Sequence, residues 1–189
     1  MTFSPTLLDV YDAPGNPTGV QKWYDDVHRD GDWHKGVHVW LITEQGELLL
    51  QRRSLTLHTY PGLWENSAGG HIDAGYTSLQ TAQKELQEEV GVNLPFEKFE
   101  LLFTTIDQFT SDTHQGHCIN NEFDDVYLVV VPERVITKMY EKEVSEICWV
   151  DFRELEQKLH SGSLGYIPRP IEYSHLFNVL HARFDTVLK

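Results

Sequence analysis

Cysteine is scarce in this chain. Only two occur in 189 residues, Cys118 and Cys148, so no disulfide framework can be built and a reducing compartment is expected. Positive charge is also short. Lys and Arg total 15 against 29 Asp and Glu, a net charge of -14. That balance excludes a nucleic acid polymer and an anionic membrane surface as partners. A phosphate-bearing ligand then requires a metal ion or a local basic patch to offset the repulsion. Long apolar runs are missing too: the longest, Val126–Val131, is far too short to cross a bilayer. The N-terminal stretch carries Pro5, Asp9, Asp12, Pro14 and Pro17 and no basic region followed by an apolar one. A signal peptide is therefore not expected, and a cytoplasmic protein is. There is no internal repeat and no low-complexity tract.

What is present suffices for one core without staples: 40% hydrophobic and 12% aromatic residues. Residues 1–33 read as an N-terminal extension packing on a domain that spans 34–189 and ends in a helix. Within the extension, Pro14-Gly15-Asn16-Pro17 is a turn cluster and Val20–His28 is predicted as a short helix. Val37–Ile42 and Leu48–Leu50 read as strands of a hairpin turning at Gln45-Gly46. Leu101–Asp107 and Phe123–Val131 read as strands separated by a polar loop rich in His, Asp and Asn. Ile147–Val150 is a further strand, Phe152–His160 a helix, and Pro168 and Pro170 precede a last amphipathic helix. Mixed strands and helices with hairpins predict helices sandwiching a mixed sheet, an α/β (α+β) architecture.

The most informative segment is Gly70–Val92. Thr77 with Gln80 forms a capping-box pattern and Gly91 is placed to end the helix. On that helix Leu79, Ala82, Leu86 and Val90 share one stripe, the predicted core face. Glu85, Glu88 and Glu89 cluster on another face at spacings where like charges repel. A solvated acidic face would explain such a cluster taken alone. A hard divalent cation with oxygen ligands explains it within this frame of a glycine pair before and a glycine directly after.

The segment resembles the Nudix box: a glycine, five residues, Glu, seven residues, then Arg-Glu-apolar-x-Glu-Glu-x-Gly-apolar. Gly70, Glu85, Leu86, Glu88, Glu89, Gly91 and Val92 match; Tyr76 replaces the first Glu and Lys84 the Arg. The resemblance covers roughly residues 34–160. It includes the hairpin before the box, the loop Pro61-Gly62-Leu63-Trp64, and Glu143-Val144-Ser145-Glu146 followed by Trp149-Val150. It implies a Nudix-like α/β/α sandwich and a hydrolase of a diphosphate linkage, in a nucleoside diphosphate derivative or a similar small molecule. Glu85, Glu88, Glu89 and the carbonyl of Gly70 would hold Mg²⁺ or Mn²⁺. The metal would neutralise the diphosphate and acidify an attacking water. A general base is expected within the box, at Glu88 or Glu89, or on a later loop, where Glu122 is the candidate. Arg52 and Arg53 alternate on a strand end, so one of them can clamp a phosphate, and Lys84 can contact phosphate or carboxylate. Many family members pair as homodimers, an arrangement the resemblance admits here.

Within the family, Trp33-His34, Val37–Trp40, Gln51-Arg52-Arg53 and Asn66–His71 are similar to the branch that includes isopentenyl diphosphate isomerase. His34 and His71 fall where two of that isomerase's metal-binding histidines sit, and His28 is near a third. The isomerase's Cys is Gly69 here, and of its Glu-x-Glu pair only Glu122 is matched in Asn120-Asn121-Glu122. Without the thiol one of the two proton-transfer partners is missing. The alternatives to a hydrolase are therefore that isomerase, or a non-catalytic ligand-binding module. His38 shares strand parity with Trp40 and reads as a packed core residue.

Overall fold

A computed structural model describes residues 6–113 and 116–185, and the backbone alone at 113 and 116. The first residues of the N-terminal extension and the tip of the expected polar loop, 114–115, lie outside that range. Among the described residues nine strands form one mixed sheet, with four helices against it.

The sheet is organised around β3 (Trp33–Thr43). β3 runs antiparallel to β6 (Ala68–His71) and parallel to β8 (Gly116–Val131), which pairs with β7 (Phe99–Thr113). A tight turn at Gly46 leads from β3 into β4 (Glu47–Arg53), which β5 (Trp64–Glu65) and β9 (Val144–Asp151) flank. β1 (Leu7–Tyr11) and β2 (Pro17–Trp23) extend the sheet beyond β3 through Tyr11 opposite Trp33.

Strand alternation sorts the core into two layers. Val37, Val39 and Leu41 face α2 (Ser78–Val90), where Ala82, Leu86 and Val90 are fully buried. Burial of a Leu or Val side chain of this kind contributes about 1.5–3 kcal/mol. Trp40 and Ile42 face the opposite way. They pack with Val126, Leu128, α3 (Phe152–His160) and α4 (Pro170–Phe184). Toward the N-terminal end of β3 this second face turns polar. His34, Gly36 and His38 continue the Trp40 row, and Glu122 and Asp124 continue the Val126 row of β8. Helices on both faces of a mixed sheet are the expected architecture.

α2 ends as its sequence dictates. Thr77 Oγ1 accepts from Gln80 N, and Gln80 Oε1 accepts from Thr77 N at 2.9 Å, closing the capping box. Gly91 caps the other end with φ 73°.

Two expectations are corrected. Val20–Trp23 is strand, and α1 starts after it at Tyr24–Asp30. The turn at residues 12–16, where the Asp12 side chain accepts from Asn16 N at 2.6 Å, sets these residues in ladder register with β1, and the ladder overrides local helix preference. The polar stretch before Phe123 is no loop where it is described: β7 and β8 continue through it, with Phe109 opposite Asn120. Cross-strand polar pairs, Thr104 with Asp125 (2.7 Å) and Gln108 with Asn121 (2.6 Å), do there what apolar pairs do elsewhere. No helix among the described residues is long and apolar enough to cross a membrane.

Candidate active site

One cleft opens where the polar end of β3 and β8 meets β6 and α2. Its first wall comes from the glycine-to-glycine segment. α2 turns Glu85 and Glu89 inward and leaves Glu88 exposed. Glu89 Oε2 accepts from the Gly69 backbone N–H and from Gln51 Nε2, both at 2.9 Å. Glu85 lies against Gly70 so closely that a Cβ on that residue would come within 2.9 Å of the carboxyl carbon. Burial pushes Glu89 well above the ordinary carboxylate range, and nearby Glu85 and Glu65 add to it. Burial also pushes Glu85 up to about 7, against the opposing pull of Lys84. Lys84 Nζ sits 3.1 Å from Glu85 Oε1, 3.5 Å from Glu88 Oε2 and 3.9 Å from Asp73. One ammonium cannot neutralise this set. Two buried, oxygen-only side chains on successive turns, packed against Gly69 and Gly70 of β6, fit a hard divalent cation. Tyr76 is exposed.

The second wall is assembled from separate segments. His28 comes from α1, His34 from β3 and His71 from β6, and one ring nitrogen of each lies within 4.8 Å of the others. Glu122 Oε1 of β8 stands 3.5 Å from His71 Nε2 and 3.8 Å from His34 Nε2. The backbone sets two tautomers. His28 Nδ1 is 2.9 Å from Tyr24 O and His34 Nδ1 is 3.1 Å from Asp32 O, so each donates there, and the His28 ring is also hydrogen-bonded by the Asn120 side chain. His34 Nε2 is buried with no hydrogen-bond partner among the described residues. Burial lowers His28, and it holds His71 down at about 3 against the attraction of Glu122. Burial would raise Glu122, but the surrounding histidines outweigh it and hold it ionised, at about 2. Three imidazoles with one carboxylate form a donor set for a divalent metal.

Of the two arginines, Arg53 lines the cleft, bound to Thr59 O (3.0 Å) and Glu65 (2.8 Å). Arg52 turns away to Gly62 O and Glu146. Trp33 stacks on Phe123 and Trp64 joins the core, whereas Phe109 and Tyr60 meet edge to face in the cleft. His38 is buried, as its parity implied, yet it lines the cleft floor instead of the apolar core.

Sequence reasoning missed Asp107, Asp124, Glu143 and Arg169, which all line the cleft. Asp124 was discoverable. Once β8 is known to start before Glu122, alternation places Asp124 on the same face. Asn120 shares that face too: it lines the cleft and donates to Glu122 Oε2 at 3.3 Å. Arg169, between two prolines, carried no signal.

Comparison with known proteins gives the family and the fold. A model of the NUDIX domain matches residues 32–169. "Nudix hydrolase 3" of Arabidopsis thaliana is 41% identical over 93% of this chain, which spans only 23% of that protein. An isopentenyl-diphosphate Delta-isomerase of Serratia proteamaculans is 31% identical, covering 79% of this chain and 78% of its own length. An uncharacterized Nudix hydrolase of Listeria monocytogenes is 31% identical, covering 80% and 82%. Among solved structures, DR0079 of Deinococcus radiodurans superposes with a TM-score of 0.66 at 19% identity, over 94% of this chain and 99% of its own. The NUDIX domain of Shewanella oneidensis NrtR, complexed with ADP ribose, gives 0.56 at 20%, over 77% and 87%.

Proposed function

This chain belongs to the NUDIX family, and on that premise we propose that it is a Mg²⁺- or Mn²⁺-dependent hydrolase of a diphosphate linkage in a nucleoside diphosphate derivative or similar small molecule. The observation that carries the reading is the buried pair Glu85 and Glu89 over Gly69 and Gly70. Bare, that pair is an electrostatic liability; with a divalent cation it is a binding site.

Glu85, Glu88, Glu89 and the Gly70 carbonyl would hold the metal of the first wall, and His28, His34, His71 and Glu122 a second. The bound metals supply charge neutralisation on the diphosphate and acidify water. Arg53 orients a phosphate oxygen from the cleft side, while Lys84 balances the box carboxylates. Glu122, surrounded by imidazoles, serves the second wall. Glu143 takes over the role of base on a later loop, since it lines the cleft and its charge is felt by Glu85, Glu88 and Glu89. The N-terminal extension belongs to the site through His28, and the protein acts as a cytoplasmic enzyme on small molecules.

The structure speaks against isomerisation by a thiol at position 69. A Cβ there would meet the Val37 carbonyl oxygen at 2.8 Å and Asn66 Nδ2 at 3.0 Å. The test is phosphate and nucleotide release from a panel of diphosphates, including isopentenyl diphosphate, with Mg²⁺ or Mn²⁺ and beside Glu88→Gln. Turnover that disappears in the variant is expected. Conversion of isopentenyl diphosphate to its isomer would favour the isomerase, and silence over the panel a binding module.

A further inference from the structure

The cleft floor holds charged groups that neither wall uses. His38 Nδ1 donates to Glu172 Oε2 at 2.8 Å, and Trp40 Nε1 donates to Glu172 Oε1 at 2.8 Å. Glu172 is thus locked, and the imidazole presents its other nitrogen toward Asp124. That Nε2 lies 3.6 Å from Asp124 Oδ1, too far for a hydrogen bond. Asp124 is 1% exposed and its Oδ2 has no partner among the described residues. Arg169 donates to Asn66 Oδ1 at 2.8 Å, stands 3.5 Å from Glu65 and turns its Nε to Asp107 Oδ2 at 3.5 Å, an ion pair without a well-formed hydrogen bond.

A purely structural role does not account for this. Buried ion networks contribute little net stability, and α4 is already anchored by Tyr173, Leu176, Phe177 and Leu180. An orphaned buried polar atom keeps its desolvation cost uncompensated, and native structures hold few of them. Here Asp124 Oδ2 is orphaned and Arg169 Nε has only a long ion pair, on residues that line the cleft.

We propose that His38, Asp124 and Arg169 form a specificity subsite for the non-phosphate end of the substrate, which selects a neutral group that both accepts and donates a hydrogen bond, a hydroxyl or a carboxamide. Glu172 is the positioning residue of His38. The carboxylates of Glu65 and Glu172 disfavour a second anion, and the Arg169 guanidinium disfavours an ammonium. A purely apolar tip would leave every orphaned atom unpaired, the situation that gives strong discrimination. Arg169 is the last residue of the family match and Glu172 lies beyond it, so the chain's own C-terminal segment would set this selectivity. The proposal rests on the diphosphate binding at the Glu85–Glu89 wall.

The test is calorimetric binding, in Mg²⁺, of non-hydrolysable methylenebisphosphonate monoesters carrying alkyl chains of graded length tipped with methyl, hydroxyl or carboxamide. At the best length the hydroxyl or carboxamide tip should bind at least about tenfold tighter than methyl. Asp124→Asn and His38→Gln, each checked for folding by circular dichroism, should reduce that preference below about threefold. Glu172→Gln should do the same while shifting the His38 ring ¹⁵N resonances, and Glu172→Asp should restore part of both. Equal binding of all tips, no binding at any length, or a preference unchanged in Asp124→Asn and His38→Gln would each overturn the proposal. Failure of the hydrolase reading shows separately, as tip-selective binding with no cleavage of the matching diphosphates.

Discussion

The two walls of the cleft gather ligand groups in opposite ways. The α2 wall concentrates carboxylates within one short segment and is at odds with itself: Glu85 and Glu89 are buried, mutually repelling and pushed toward the protonated form. The histidine wall draws imidazole rings from α1, β3 and β6, and hydrogen bonds donated to Tyr24 O and Asp32 O orient two of them. The first wall leaves like charges buried against one another, whereas the second is held in place by its own hydrogen bonds. The difference shows why a single helix signature reveals one half of a site and conceals the other.

The largest effect should come from breaking the first wall. Glu89→Gln is expected to lower kcat at least about a hundredfold, the loss typical of removing a preorganised electrostatic group. The same change should stabilise the metal-free protein, because it removes a buried uncompensated charge while an amide oxygen still accepts from Gly69 N–H. A gain of about 1–2 kcal/mol raises the melting temperature by roughly 2–8 °C in a domain of this size. Kinetics on an accepted substrate and thermal melts at pH 8 without metal check both halves. A variant less stable than wild type would mean that Glu89 is satisfied as it stands.

Breaking the second wall should act through metal binding. Co²⁺ or Zn²⁺ at a hundredfold excess over its dissociation constant stabilises by about 2.7 kcal/mol, or roughly 5–10 °C. His34→Ala should abolish that shift in calorimetric scans, and Glu89→Gln should leave it in place. Equal loss in both variants would show that the walls form one coupled site.

Legibility followed the same division. The box carboxylates, the capping by Thr77 and the stop at Gly91 could be read because they depend on neighbours along one helix. The hairpin into β4 could be read from Gly46 for the same reason. Glu172 and Arg169 could not, since only the descent of α4 onto β3 brings them to His38 and the cleft. The polar half of β8 was mistaken for loop because its cross-strand pairs are polar, so the apolar alternation that marks a strand is missing.

Two histidines of the cleft should divide the pH dependence of stability between them. His71 is held below its unfolded value, at about 3, so its share of stability is present above about pH 6.5 and is lost as pH falls toward 3. For His38, burial and Arg169 pull downward, but Asp124 and Glu172 outweigh them and raise it to about 9. Its share is present below about pH 6.5 and is lost as pH rises through 9. Each slope approaches about 1.4 kcal/mol per pH unit. Denaturation at a series of pH values should show His71→Gln flattening the acid limb and His38→Gln the alkaline limb. If both variants flatten the same limb, wall and floor titrate as one unit.

The smallest effect should come from the helix cap that carries the first wall. Thr77→Ala removes the acceptor for Gln80 N and unmakes the reciprocal capping box, a change that typically costs about 1 kcal/mol. Melting should fall by roughly 2–4 °C. Glu85 and Glu89 lie two and three turns further on, and they are held by Gly69, Gly70 and Gln51, not by the cap. Activity should therefore stay within about twofold of wild type, since fraying is confined to the first turn. A larger loss of activity than of stability would show that the N-terminus of α2, with exposed Tyr76 just before it, reaches the substrate.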